Sequence, residues 1–160
     1  MRFPVVLSLI LVFVSAQKEI SQKFLGKFEL TSSEKFDEYL AAKGVGWFVR
    51  KMIQVASVTK VFEKGSKPKT FRFKNLTSKK DTDYDNIELT KTFEAEGLDS
   101  TKHRITFDFD ESRGMLLETH ERIETEGAKP ETYEYFFEDD TLVMRMEYGG
   151  VACKRFFQRV

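Results

Sequence analysis

The side chains able to do chemistry in this sequence are few, and their spacing argues against a reaction. His103 and His120 are the two histidines, and the single cysteine, Cys153, stands in a stretch of alternating residues. Neither a Gly-x-Ser-x-Gly elbow nor a glycine-rich phosphate loop is present, so no nucleophile, base and oxyanion site assemble. Asp81-x-Asp83-x-Asp85 begins like a calcium loop but lacks its glycine and terminal glutamate, and no metal site is expected. Asn75-Leu76-Thr77 has the form of an N-glycosylation acceptor. Near the C-terminus, Val151, Cys153, Arg155 and Phe157 share one face of an extended segment, opposite Ala152, Lys154, Phe156 and Gln158. Composition leaves open which face is interior.

The elements that must position these groups follow from periodicity. After Ser57 the chain alternates with period two: Phe71 and Phe73 with Arg72 and Lys74, Ile105 and Phe107 with Thr106 and Asp108, Leu142, Met144 and Met146 with Val143 and Arg145. Turn residues punctuate it at Gly65-Ser66, Glu111 to Gly114, Glu126-Gly127, Glu138 to Asp140 and Gly149-Gly150. With a strand over 26–31, about ten strands are predicted, and so many short hairpins are more naturally closed into a barrel than left with open edges. Between Ser32 and Ala56 the period changes. Ser32 or Ser33 is expected to cap a first helix whose face carries Phe36, Tyr39 and Leu40. Gly44 and Gly46 end it, and a second helix from Trp47 to about Val55 puts Phe48, Met52 and Val55 in an apolar stripe while Arg50 and Lys51 stay solvated.

Composition narrows the setting. Arg2, the apolar run from Phe3 to Val14 and the small pair Ser15-Ala16 predict a secretory signal peptide over residues 1–16, leaving a single domain over 17–160. That run is too short to span the ~30 Å hydrocarbon layer comfortably. Twenty-six basic and 26 acidic residues balance, which argues against nucleic acid as a partner. A lone Cys153 cannot form an internal bridge, so a stable monomer must rest on packing, with the thiol buried.

Phe24-Leu25-Gly26-Lys27-Phe28-Glu29-Leu30, continued by Ser32-Ser33-Glu34-Lys35-Phe36-Asp37-Glu38-Tyr39-Leu40, with Gly44-Val45-Gly46 after it, resembles the N-terminal signature and interhelical turn of the intracellular lipid-binding proteins. That family includes the fatty-acid-binding and retinoid-binding proteins. Glu138 to Val143 and Gly150 to Phe157 extend the similarity, which covers Lys23 to Val160. It implies an all-β fold: a ten-stranded antiparallel up-and-down β-barrel closed at one end by a two-helix lid. It also implies a carrier that binds a long-chain fatty acid, a retinoid or a similar lipid noncovalently, needs no cofactor and catalyses nothing. A barrel that recognises a protein, or serves an extracellular layer structurally, is the alternative. Two departures, the signal peptide and the extended stretches Asn75 to Tyr84 and Thr125 to Glu131, resemble secreted nematode members. The extended loops could dock a membrane or a receptor.

The resemblance also assigns residues. In the family's Arg-x-Tyr motif the arginine points inward to the fatty-acid carboxylate, which gives Arg155 that role and turns Cys153 and Phe157 inward too. Phe157 stands where the motif has Tyr. A second family arginine falls at Tyr135, whose hydroxyl is expected to supply the missing donor. The same register puts Glu118, His120 and Arg122 inside, and Met144 and Met146 join the cavity wall. Val49, Met52, Ile53 and Tyr84 are the implied portal, and Lys43, Arg50 and Lys51 give the lid a basic face suited to an anionic membrane.

Overall fold

The computed structural model describes residues 16–160, so all of the expected signal peptide but Ala16 lies outside the described residues. A single turn of 3-10 helix at Gln22–Phe24 leads into β1 (Gly26–Glu34), followed by α1 (Phe36–Ala42) and α2 (Trp47–Gln54). Nine strands complete the chain: β2 (Val58–Lys64), β3 (Phe71–Thr77), β4 (Thr82–Ile87), β5 (Thr92–Glu96), β6 (Lys102–Asp110), β7 (Met115–Arg122), β8 (Glu131–Glu138), β9 (Thr141–Tyr148) and β10 (Val151–Arg159).

From β2 to β4 and again from β5 to β10 each strand pairs antiparallel with the next in the chain, and β1 joins β2 to β10, giving the sheet order β4-β3-β2-β1-β10-β9-β8-β7-β6-β5. The ten-strand barrel expected from the alternation is present, nearly closed. Its two edges are β4 and β5, which no backbone ladder joins. Side chains cross that gap: the Tyr84 hydroxyl donates to the Glu96 carbonyl at 2.7 Å, and Lys80 pairs with the Glu96 carboxylate. An edge left unpaired would invite other strands, and these contacts cover part of it.

The alternation fixes which side chains turn inward. Phe71, Phe73 and Asn75 of β3 are buried while Arg72 and Lys74 lie farther out. Their ladder to β2 sets Phe73 opposite Phe62 and Asn75 opposite Lys60. At the end away from the helices the interior is filled by phenylalanines. Phe24, on the 3-10 turn, meets Phe137 at 5.2 Å and Phe109 at 6.0 Å, both edge to face. Phe62 approaches Phe73 at 4.8 Å, and Phe71 meets Phe107 edge to face at 5.3 Å. Offset and edge-on rings add roughly 0.5–1.5 kcal/mol per pair beyond area burial. Such packing leaves open space at the helical end.

The helix boundaries depart from expectation at the start. Ser32 and Ser33 do not cap α1; both lie in β1, which runs to Glu34, and the turn into the helix is made by Lys35 in a left-handed conformation at φ 54°. A bulge between Leu30 and Ser32 shifts the β1–β10 register, and Ser33 is turned toward Arg155 instead. The connection after Asn75 is also tighter than expected, because β3 continues to Thr77 and β4 begins at Thr82. The β7–β8 connection is long, spanning 123–130.

The lid inverts the expected orientation of α2. Phe36, Tyr39 and Leu40 of α1 are buried as the spacing predicts, but α2 buries no residue fully. Phe48 is 68% exposed and Val55 84%, so the apolar stripe faces outward. Arg50, expected to be solvated, donates to Asp37 at 2.9 Å and to the Val45 carbonyl at 3.0 Å and knits the helices together.

Candidate ligand-binding site

Between the lid and the barrel lies a cavity of about 410 Å³, within the size range of small-molecule sites. Phe36, Leu40 and Ile53 from the lid face Val58, Met144 and Met146 from the strands across it. The lid is tied to the barrel rim. Lys43 Nζ donates to both carboxylate oxygens of Glu131, at 2.7 and 2.8 Å, and the Tyr39 hydroxyl donates to the same carboxylate at 3.2 Å. Lys43 is thus engaged in holding the lid and is not offered to a membrane surface.

Arg155 projects into this cavity from β10 and is 8% exposed. Its Nε donates to Ser33 Oγ at 3.3 Å, and the guanidinium lies over the Phe36 ring at 4.1 Å from the centroid. Among the described residues, no carboxylate comes within salt-bridge distance of it. Burial pushes its pKa down to about 10, which leaves it cationic at neutral pH. A buried cation without a protein counter-ion is costly unless something else balances it.

A chain of polar groups runs from the rim to the cavity floor. Arg122 Nε donates to Asp99 at 2.8 Å; Asp99 meets His103 Nε2 at 3.0 Å; His103 Nδ1 meets His120 Nδ1 at 2.9 Å. His120 Nε2 then meets Glu118 Oε1 at 2.7 Å, and the Tyr135 hydroxyl donates to Glu118 Oε2 at 2.5 Å. Burial opposes charge on Glu118, yet the contacts with His120, Lys60 and Tyr135 outweigh it and hold the carboxyl below its usual range. Burial, then the negative charge of Glu118, raise the Tyr135 hydroxyl well above its usual value.

Lys60 was not singled out from sequence. It is 2% exposed, its Nζ donates to Asn75 Oδ1 at 3.4 Å, and burial lowers its pKa to about 8. The signal was available: Lys60 shares strand parity with Val58 and Phe62, the buried face of β2. His103 likewise shares parity with buried Ile105 and Phe107.

The expected site residues fall into three groups. Arg155, His120, Arg122, Met144, Met146, Ile53 and Tyr84 all line the cavity. Phe157 and Cys153 face the interior, 0% and 2% exposed, but stand behind its wall. Tyr135 is also interior, yet it does not offer its proton to a ligand because that proton is given to Glu118. Val49 and Met52, the other two residues expected at the portal, are 50% and 40% exposed on α2 and do not line the cavity. Asn75 is corrected as well. It is 8% exposed on the interior face of β3 and bonded to Lys60, so the folded protein does not present it as a surface glycosylation acceptor.

No protein-family model matches the chain. Curated proteins and solved structures do. It is 51% identical over 148 residues to fatty acid-binding protein homolog 3 of Caenorhabditis elegans, covering 92% of this chain and 88% of that protein. It is 48% identical over 156 residues to homolog 1 of the same organism, covering 98% and 97%. Among solved structures, it superposes on As-p18, an extracellular fatty acid binding protein, with a TM-score of 0.85 at 43% identity, covering 89% of this chain and 100% of that one. With this identity over nearly the whole chain and a superposition that covers all of As-p18, the protein belongs to the fatty-acid-binding protein family.

Proposed function

We propose that the chain is a secreted, non-enzymatic carrier that holds a long-chain fatty acid or related amphipathic lipid in the helix-capped cavity, carboxylate toward Arg155. The observation that carries this reading is a buried, cationic Arg155 facing an apolar cavity with no protein carboxylate against it among the described residues. Each alkyl CH₂ taken from water contributes ~0.8 kcal/mol, and the guanidinium supplies charge-assisted hydrogen bonds to the head group. The similarity to fatty acid-binding proteins supports the ligand class. Secretion rests on the pattern of residues 1–16 and on the extracellular relative.

Delivery is assigned to the lid. Trp47 and Phe48 are 65% and 68% exposed on α2 beside Val49 and Met52 and next to Val55, which follows the helix, and apolar surface of this kind marks contact with a membrane or protein. A monomer touching its target transiently fits the neutral charge and buried cysteine.

The test is expression of the full chain in a secreting cell, followed by intact mass and mass spectrometry of extracted lipid. A mature chain starting near Gln17, with fatty acid bound at about one or two per protein, is expected. Retention of residues 1–16 in secreted material would sink the processing claim, and extraction of no lipid, with no binding of added oleate, would sink carriage.

A further inference from the structure

Two cations, not one, are buried in the upper barrel, and the second is Lys60. Its ammonium is surrounded by aromatic faces: Phe73 at 5.2 Å, Tyr135 at 5.3 Å and Phe157 at 5.7 Å from the ring centroids. Its one hydrogen-bond partner among the described residues is the neutral Asn75 amide, which itself lines the cavity. No carboxylate lies within salt-bridge distance of Nζ among the described residues. Ring faces attract a cation but neutralise nothing.

The charged and titratable groups facing Lys60 can be counted. β7 contributes Glu118, β10 contributes Arg155 and β8 contributes Tyr135, with His120 one hydrogen bond beyond Glu118. β3 and β1 contribute neutral Asn75, Phe73 and Phe28. Tyr135 is neutral because burial keeps its proton on. Two cations, Lys60 and Arg155, therefore oppose one anion, Glu118, and both oxygens of that anion are already engaged by His120 and Tyr135. The local balance is one positive charge in a water-poor setting, where an uncompensated charge is costly.

We propose that Lys60 is the second cation of the head-group site and, together with Arg155 and Glu118, fits the cavity to lipids carrying a single negative charge. This rests on the carrier reading above and adds a residue and a charge rule to it. A monoanionic carboxylate brings the balance to zero; a neutral alcohol or ester leaves it positive. Lys60 lies outside the cavity lining and acts from behind Asn75, as a positioning charge. An arriving anion must also favour the protonated form of Lys60, so binding is linked to proton uptake. The uptake is visible above pH 8, where burial leaves Lys60 partly deprotonated among the protein groups alone.

Isothermal titration of the mature protein with oleate at pH 8.5, in two buffers of different ionisation enthalpy, measures that uptake. On the order of half a proton per oleate is expected, none with methyl oleate, and none from oleate in Lys60→Met. Oleate affinity of Lys60→Met at pH 7 should fall roughly ten-fold, with the ester nearly unchanged. Absence of uptake in the unaltered protein, or equal uptake in Lys60→Met, overturns the proposal. The first of these needs no variant, and Lys60→Gln serves if the Met variant does not fold. Failure of the carrier reading looks different, since neither oleate nor its ester would then bind at all.

Discussion

His103 Nδ1 and His120 Nδ1 face each other at 2.9 Å across neighbouring strands, with ring planes 84° apart. Their outer nitrogens meet carboxylates, Asp99 at 3.0 Å and Glu118 at 2.7 Å. Two neutral imidazoles carry two ring protons for these three contacts, and protonating both rings would set two N–H groups against each other across the strands. Burial, and then charge on His120, outweigh the pull of Asp99 and keep the His103 pKa below the usual imidazole value.

The pH dependence follows from that depression. An unfolded His103 binds its proton near pH ~6.5, while the folded one does so only at lower pH. The unfolded state therefore binds more protons as pH falls through ~6.5, and stability is lost in that direction, at up to ~1.4 kcal/mol per pH unit for one group. Glu118, held below the usual carboxyl range, keeps its contribution until lower pH still. Urea midpoints between pH 7 and 5 should fall more steeply for the unaltered protein than for His103→Gln; parallel curves would remove the pair from the account.

The seam between β4 and β5 should be the softest part of the barrel. Tyr84 spans it through its bond to the Glu96 carbonyl at 2.7 Å and an edge-on contact with Phe93 at 5.5 Å. Tyr84→Phe keeps the ring and removes the bond, at a cost of ~0.5–1.5 kcal/mol. Amides of β4 and β5 should then exchange with deuterium faster, and bound lipid should leave faster. Unchanged exchange in both strands would show that the hydroxyl does not hold the seam.

The barrel was legible because its signals are local: Phe71 and Phe73, or Met144 and Met146, announce a period of two without reference to the rest of the chain. The face turned inward on β10 was not, since Arg155 and Lys154 are equally charged and only the ladder to β9 and the lid over Phe36 decide between them. Helix α2 shows the same limit. Its apolar stripe is plain in the sequence, but whether Phe48 points into the barrel or out of it depends on where α1 sits. Asn75 misled because a sequon is read in three residues, whereas its burial is set by alternation with Phe71 and Phe73. Lys60 was passed over because a charged residue reads as solvent-facing, and the polar groups that accommodate it come from β3 and β7.

Cys153 should be inert in the folded protein. It is 2% exposed, and burial raises its thiol to about 11, leaving little of the thiolate that attacks electrophiles. Alkylation at pH 7.5 should run roughly a hundred-fold slower than in the urea-unfolded chain. Comparable rates, or a Cys153-linked dimer as the main species, would show that the strand opens readily.

Replacing Arg155 with Met separates the two contributions to lipid binding. The variant retains an unbranched apolar stem against Phe36 but loses the fork of donors that a carboxylate requires. Charge-assisted hydrogen bonds are worth ~1.5–3 kcal/mol each, and water entering with the head group solvates an abandoned carboxylate, so a loss nearer the lower end, about ten-fold in affinity, is expected. Methyl oleate brings no charge to Arg155, and Val58, Met144 and Met146 still hold its chain, so its affinity should hardly move. The variant should also fold at least as stably, because a buried cation without a carboxylate partner is removed and Ser33 is left near the rim. Equal losses for acid and ester, with a lowered melting temperature, would indicate a damaged barrel. Unchanged oleate binding by a folded Arg155→Met would instead remove Arg155 from the anchor and leave the head group to Asn75 and the Lys60 charge behind it.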